Sequence, residues 1–169
     1  MKKVTPEDLA ALTDSNADPA DRVRALSRLA HWEKGKYDKL EPTIASLLKD
    51  ESSAVRGAAI NTLLGSWHRE KYLDAAIRLL MEDRDDDWTC RADAAFALGQ
   101  FSLRTNKERD RVLTALLAAL KHDPEWPVQR RSYEEVLRLI APDRQPPDGG
   151  EFDRDRDVDW TLLAPLLKN

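Results

Sequence analysis

Three histidines, one cysteine and a run of aspartates are the side chains in this sequence that could carry chemistry. His31, His68 and His122 could bind a metal or move a proton, and Cys90 could act as a thiolate nucleophile. Asp85, Asp86 and Asp87 could gather a cation. The spacing supports none of these uses. No two histidines stand four apart, as zinc ligands on one helix face do. Their following residues are Trp32, Arg69 and Asp123, so no histidine–glutamate pair is present. Cys90 lacks an evident base. The chain has no glycine loop to cradle phosphate and no Gly-x-Ser-x-Gly elbow. An aspartate run before a helix serves capping and solubility. The expectation is a protein with no catalytic residue, no metal and no cofactor.

Bulk composition narrows the classes further. The 169 residues suffice for one domain with its own core. A hydrophobic share of 41% beside 34% charged residues suits an exposed helical protein and is too apolar for wholesale disorder. The net charge of −4 argues against nucleic acid and anionic lipid as partners. Most of that excess lies in residues 142–169, which carry four cationic and seven anionic side chains. A single cysteine cannot form an internal disulfide. No apolar run reaches the ~18 residues of a membrane helix, and no apolar stretch follows Lys2 and Lys3 as in a signal peptide. A monomer in the cytoplasm is expected.

The elements that must position any functional surface are repeated. Asp18, Asp50, Asp85 and Asp123 each precede an apolar anchor by five residues: Val23, Val55, Cys90 and Val128. Arg24, Arg56, Arg91 and Gln129 follow the anchors, and small residues Ser27, Ala59, Ala94 and Ser132 stand four beyond them. The aspartates are 32, 35 and 38 residues apart, the length of one helical hairpin each. Before them run leucine and isoleucine stripes at helical spacing: Leu40, Ile44 and Leu47; Leu73, Ile77 and Leu80; Leu113, Leu117 and Leu120. Each hairpin therefore has a first helix ending before the Asp and a second starting after it. Pro19 and Pro124 follow two aspartates where a missing N–H costs nothing.

The segments Asp50–Ala59, Asp85–Gly99 and Asp123–Arg130 resemble HEAT repeats, particularly the short bacterial variety that includes phycobilisome-lyase-like proteins. The resemblance spans roughly residues 5–141 and implies an all-α fold, an α-α superhelix of about four hairpins. Repeats are expected at 5–33, 37–67, 69–102 and 106–141. It implies second helices along the concave face, and protein or peptide binding far more often than catalysis. It also implies that the repeated arginines bond to the aspartates in a ladder, with Gln129 as a missing rung. Residues 142–157, rich in Pro, Gly and alternating charge, read as an exposed linker. Trp160, Leu162, Leu163 and Leu166 read as a capping helix over 158–169, since solenoid ends need covers.

Two surfaces stand out as binding candidates. Positions two, five and nine beyond each anchor should face away from the first helices. They hold Ile60 and Leu64 in the middle, with Arg28, Trp32, Arg130 and Tyr133 towards the ends. This reads as an apolar trough with aromatic and arginine anchors, unless neighbouring second helices bury it. The other surface is a rim, where Trp88 and Trp126 each stand two residues before their anchor, beside Asp86, Asp87 and Glu125. An aromatic, acidic edge could meet a basic partner. The function expected is a non-catalytic interaction module, including the possibility of an immunity protein that occludes a toxin. The alternative is a bilin lyase or pigment chaperone, which the family resemblance brings in.

Overall fold

The computed structural model describes residues 4–14, 16–31, 38–82, 87–146 and 150–167. Trp32, Asp85 and Asp86 lie outside the described residues, so their expected roles have no structural counterpart here. The described chain is helical, with no strand among its residues.

Four hairpins follow one another. The first pairs α1 (Pro6–Thr13) with α2 (Pro19–Ala30). The second pairs α3 (Glu41–Ser46) with α4 (Ser53–Ile60), which runs on as a π-helical turn over Asn61–Ser66. The third pairs α5 (Leu73–Glu82) with α6 (Thr89–Thr105), and the fourth α7 (Arg109–His122) with α8 (Trp126–Ile140). Two short helices, α9 (Arg154–Asp157) and α10 (Trp160–Leu163), close the chain.

The ends are punctuated as the side chains dictate. Thr5 and Asp8 form a reciprocal capping box at α1, and the Asp18 carboxylate accepts the Ala20 N–H at α2. Asn106 takes the left-handed conformation at φ 51° to end α6. The aliphatic stripes bury as their spacing requires: Ile44, Leu80 and Leu120 are shut off from solvent, as are their partners Leu26, Leu63 and Leu98 on the second helices.

The second helices pack on one another more extensively than the first helices do. Contacts run from α2 to α4, α4 to α6 and α6 to α8. These contacts set α2, α4, α6 and α8 side by side as one face, the face that the family resemblance implies to be concave.

The arginine ladder exists, with one rung displaced from its expected place. Arg91 Nε lies 2.8 Å from the Asp123 carboxylate, and both side chains are almost fully buried. In the first hairpin the corresponding residue is Arg22, 2.6 Å from Asp50, and not Arg24. Arg24 is exposed and pairs with Asp21 on its own helix. The register of repeat 1 is thus two residues earlier than the Val23 anchor suggested. Val23 is only half-buried and Ser27 is exposed, while Ala25, Leu26 and Leu29 are buried. Gln129 keeps part of the rung, since its amide donates to the Asp123 carbonyl as Arg56 donates to the Asp50 carbonyl.

Beyond α8 the chain turns back over the last repeat. The segment expected as an exposed linker is anchored by Phe152, 5% exposed, whose ring sits 6.2 Å from that of Tyr133. The Tyr133 hydroxyl accepts the Asp159 N–H, and Val158 and Leu163 enter the core. An apolar side chain in the middle of a charged segment found apolar surface at the open end of the stack.

Candidate functional site

The trough expected at positions two, five and nine beyond each anchor is not a surface. Ile60 and Leu64 are completely buried, and Tyr133 is 3% exposed. The reason is the lateral packing of the second helices. Gly57 lies so close to α6 that a Cβ there would stand 2.6 Å from the Asp93 carboxylate. A Cβ on Gly99 would stand 2.8 Å from Glu135 Cβ. The small residues in this column let the next helix approach. Arg28, at the edge of the same column, is tied to Asp8 at 2.6 Å. The column that reaches solvent, in part half-buried, is one residue further on, a turn of 100° about each helix axis.

That column carries Ser27 on α2 and His31 just after it, Asn61 at the start of the π-helical turn, Phe96 and Gln100 on α6, and Arg131 and Arg138 on α8. Between α2, α4 and α6 it forms a hollow of about 360 Å³, lined mainly by polar groups: Ser27, His31, Asn61, Ser66, Gln100 and Arg104. The floor is the π-helical turn. Its wide geometry is seen in the Trp67 N–H, which donates to the Thr62 carbonyl at 3.0 Å. Thr62 and the Trp67 indole tie this turn to the Leu26 and Leu29 carbonyls at the end of α2. His68 follows at φ 53° and also lines the hollow. A π-turn inserted in a helix often marks a functional position, and here it opens the groove.

A second hollow, of about 280 Å³, lies at the N-terminal ends of α6 and α8. Trp88 and Trp126 form its walls, each 39% exposed, with Ala92 and Pro127 between them. Arg130, Arg131 and Glu134 complete it. The rim tryptophans expected from their common offset therefore do share one surface depression. Asp87 beside them is exposed but engaged, its carboxylate accepting the Thr89 N–H and hydroxyl. Arg130 and Arg131 are in its lining, which the acidic neighbours in sequence did not foretell.

The two hollows adjoin. Arg131, in the tryptophan hollow, places its guanidinium 5.4 Å above the ring of Phe96, which lines the polar hollow. Asp93, half-buried on α6 against Gly57, feels the charge of Arg131. Burial pushes its carboxyl up to about 6, against the pull of Arg131. Glu135 sits deeper in the seam between α6 and α8. Burial pushes it up to about 7, opposed by Arg138 and Arg131.

The residues first considered for chemistry are scattered. Cys90 is buried in α6, where it replaces a valine, and its N–H is held by the Ser53 hydroxyl. His31 and His68 line the groove, while His122 ends α7 on another side. Among the described residues no three His, Cys, Asp or Glu side chains gather as metal ligands. Among them, too, no helix is long and apolar enough to cross a membrane. Phe96 and Arg104 were missed in sequence. The signal for Phe96 was its place six residues beyond an anchor, in line with Asn61.

Comparison with protein families gives a match to the family described as HEAT repeats, over residues 6–99 and 40–138. Comparison with curated proteins and with solved structures gives no significant match.

Proposed function

This chain belongs to the HEAT-repeat family, and from that premise we propose that it is a non-catalytic interaction module gripping a polypeptide along its concave face. The path runs from the polar hollow over the π-turn, across Phe96 and Arg131, to the hollow between Trp88 and Trp126. The observation that carries this reading is that the two hollows adjoin through the Arg131–Phe96 contact. Trp88 and Trp126 are two of only three large apolar side chains exposed among the described residues, and they stand together at its end. Aromatic residues flanked by arginine are the composition of binding hot spots. A polar groove beside them offers amide, hydroxyl and imidazole groups to a main chain.

Such a surface would serve an inhibitor that covers a toxin as well as an adaptor. Selection of a random peptide library on the immobilised protein tests the reading. Peptides recovered on the native protein are expected to lose at least about tenfold in affinity for the W88S/W126S double variant. Equal affinity for both proteins, with unchanged circular dichroism, would sink it.

A further inference from the structure

Charge is unevenly distributed over this molecule, and the proposed path carries the unexpected sign. The chain has a net charge of −4. Yet the charged side chains lining the two hollows are Arg104, Arg130 and Arg131 against Glu134 alone. Glu134 is already committed, 3.0 Å from Arg130 and 2.9 Å from Arg131. Arg104 is exposed and makes no ion pair among the described residues. Of the nearby acids, Glu135 is buried between α6 and α8, and Asp93 is half-buried beside Arg131. The concave path is therefore a positive strip with an aromatic end on an otherwise acidic protein.

A segment of the chain itself packs on the neighbouring face of α8. Its own segment Glu151-Phe152-Asp153 lies against α8 with the aromatic ring inserted and the two acids exposed. Arg130 Nη1 donates to the Gly150 carbonyl of this segment at 3.2 Å, while Arg130 also lines the tryptophan hollow on its other side. One face of α8 thus seats an acidic, aromatic-anchored stretch, and the adjoining face presents aromatic walls beside Arg130 and Arg131, which share Glu134.

Resting on the interaction reading above, we infer that the partner offers an acidic segment with an aromatic side chain between its carboxylates. The aromatic ring enters between Trp88 and Trp126, onto Ala92 and Pro127. The flanking carboxylates meet Arg131 on one side and extend towards Arg104 along the groove. A nucleic acid would also be drawn to arginines, but the acidic remainder of the chain repels a long polyanion, and a walled aromatic hollow suits one side chain. The path therefore selects a short run of carboxylates over a continuous phosphate backbone.

Fluorescence anisotropy with four labelled probes tests this. The probes are a short aspartate–phenylalanine peptide, its lysine–phenylalanine and aspartate–serine counterparts, and a single-stranded oligothymidylate. The acidic aromatic peptide is expected to bind best, to weaken on raising salt, and to lose about fivefold to tenfold with R104Q/R131Q. It is expected to lose a similar factor with W88S/W126S, whose substitutions are at exposed positions. Preference for the lysine peptide, with the loss in W88S/W126S retained, overturns the acidic partner and leaves the interaction surface standing. Peptide binding that neither double variant changes overturns the surface itself. Absence of binding by the acidic peptide, or tighter binding of the oligonucleotide, also overturns the inference.

Discussion

The Arg131 guanidinium lies over the Phe96 ring, 5.4 Å from its centre, and so links two helices and two surface hollows at once. Arg131 comes from α8 and Phe96 from α6. Through this contact the groove above the π-turn and the tryptophan hollow adjoin. A half-exposed cation–aromatic pair contributes about 0.5–1 kcal/mol. Replacing Phe96 by Ala is expected to lower stability by that amount plus its partial burial, about 1–2 kcal/mol in all. In urea titrations F96A should remain cooperative, and binding of a library-selected peptide should weaken more than stability does. A variant that loses stability but binds normally would separate Phe96 from the path.

The ladder register is testable with three arginines. Arg91 and Asp123 are buried together, so R91A strands a carboxylate and is expected to cost about 3–5 kcal/mol. R22A, which breaks the partly buried pair to Asp50, should cost about 1–3 kcal/mol. R24A removes only an exposed pair within one helix and should change stability by less than about 0.5 kcal/mol. Urea midpoints at a common m-value rank the three. A larger effect for R24A than for R22A would restore the register that the Val23 anchor suggested.

That register shows what the sequence made legible. In the later repeats a lone arginine or glutamine follows an apolar anchor, and the structure keeps that alignment. In the first, Arg22-Val23-Arg24 offers two arginines around one valine, and spacing alone favours the wrong one. The concave face was misread for a related reason. Helical periodicity separates the side facing the first helices from the rest, but it does not say which remaining column meets the neighbouring second helix. Gly57 and Gly99, two and nine residues beyond their anchors, fall in the column expected as a trough and are instead the small residues that admit α6 and α8. Trp88 and Trp126 were found because an equal offset from the anchor puts side chains on one edge whatever the tilt of the helices. Phe152 was invisible because a single aromatic in a charged run carries no periodic signal.

Gly99 tests the lateral packing directly. An added methyl would stand 2.8 Å from Glu135 Cβ and from its carboxyl carbon. G99A is therefore expected to push α8 from α6 and to cost about 1–3 kcal/mol, despite the better helix propensity of alanine. A stabilised G99A in thermal or urea unfolding would contradict the close approach.

Glu135 gives the fold a pH signature. Its carboxyl is raised by burial from 4.5 to about 7, so between those values the folded chain keeps a proton that the unfolded chain releases. More protons bound in the folded state means that stability falls as pH rises. The contribution is fully present below about 4.5 and lost by passage through 7. Asp93, raised from 3.8 to about 6, acts in the same direction. E135Q should flatten the wild-type decline between pH 5 and 7 by on the order of 2 kcal/mol. Parallel pH curves for the two proteins would show that Glu135 titrates normally.

The central claim is that a polypeptide lies along the concave path and not on the outside of the stack. Photo-crosslinking of a library-selected peptide places it most directly. Benzoylphenylalanine would be introduced in turn at Asn61 and Trp126 on the path and at Arg78 in the groove between α3 and α5. The account predicts peptide adducts at positions 61 and 126 and none above background at 78. Adducts concentrated at position 78, with none at 61 or 126, would contradict it.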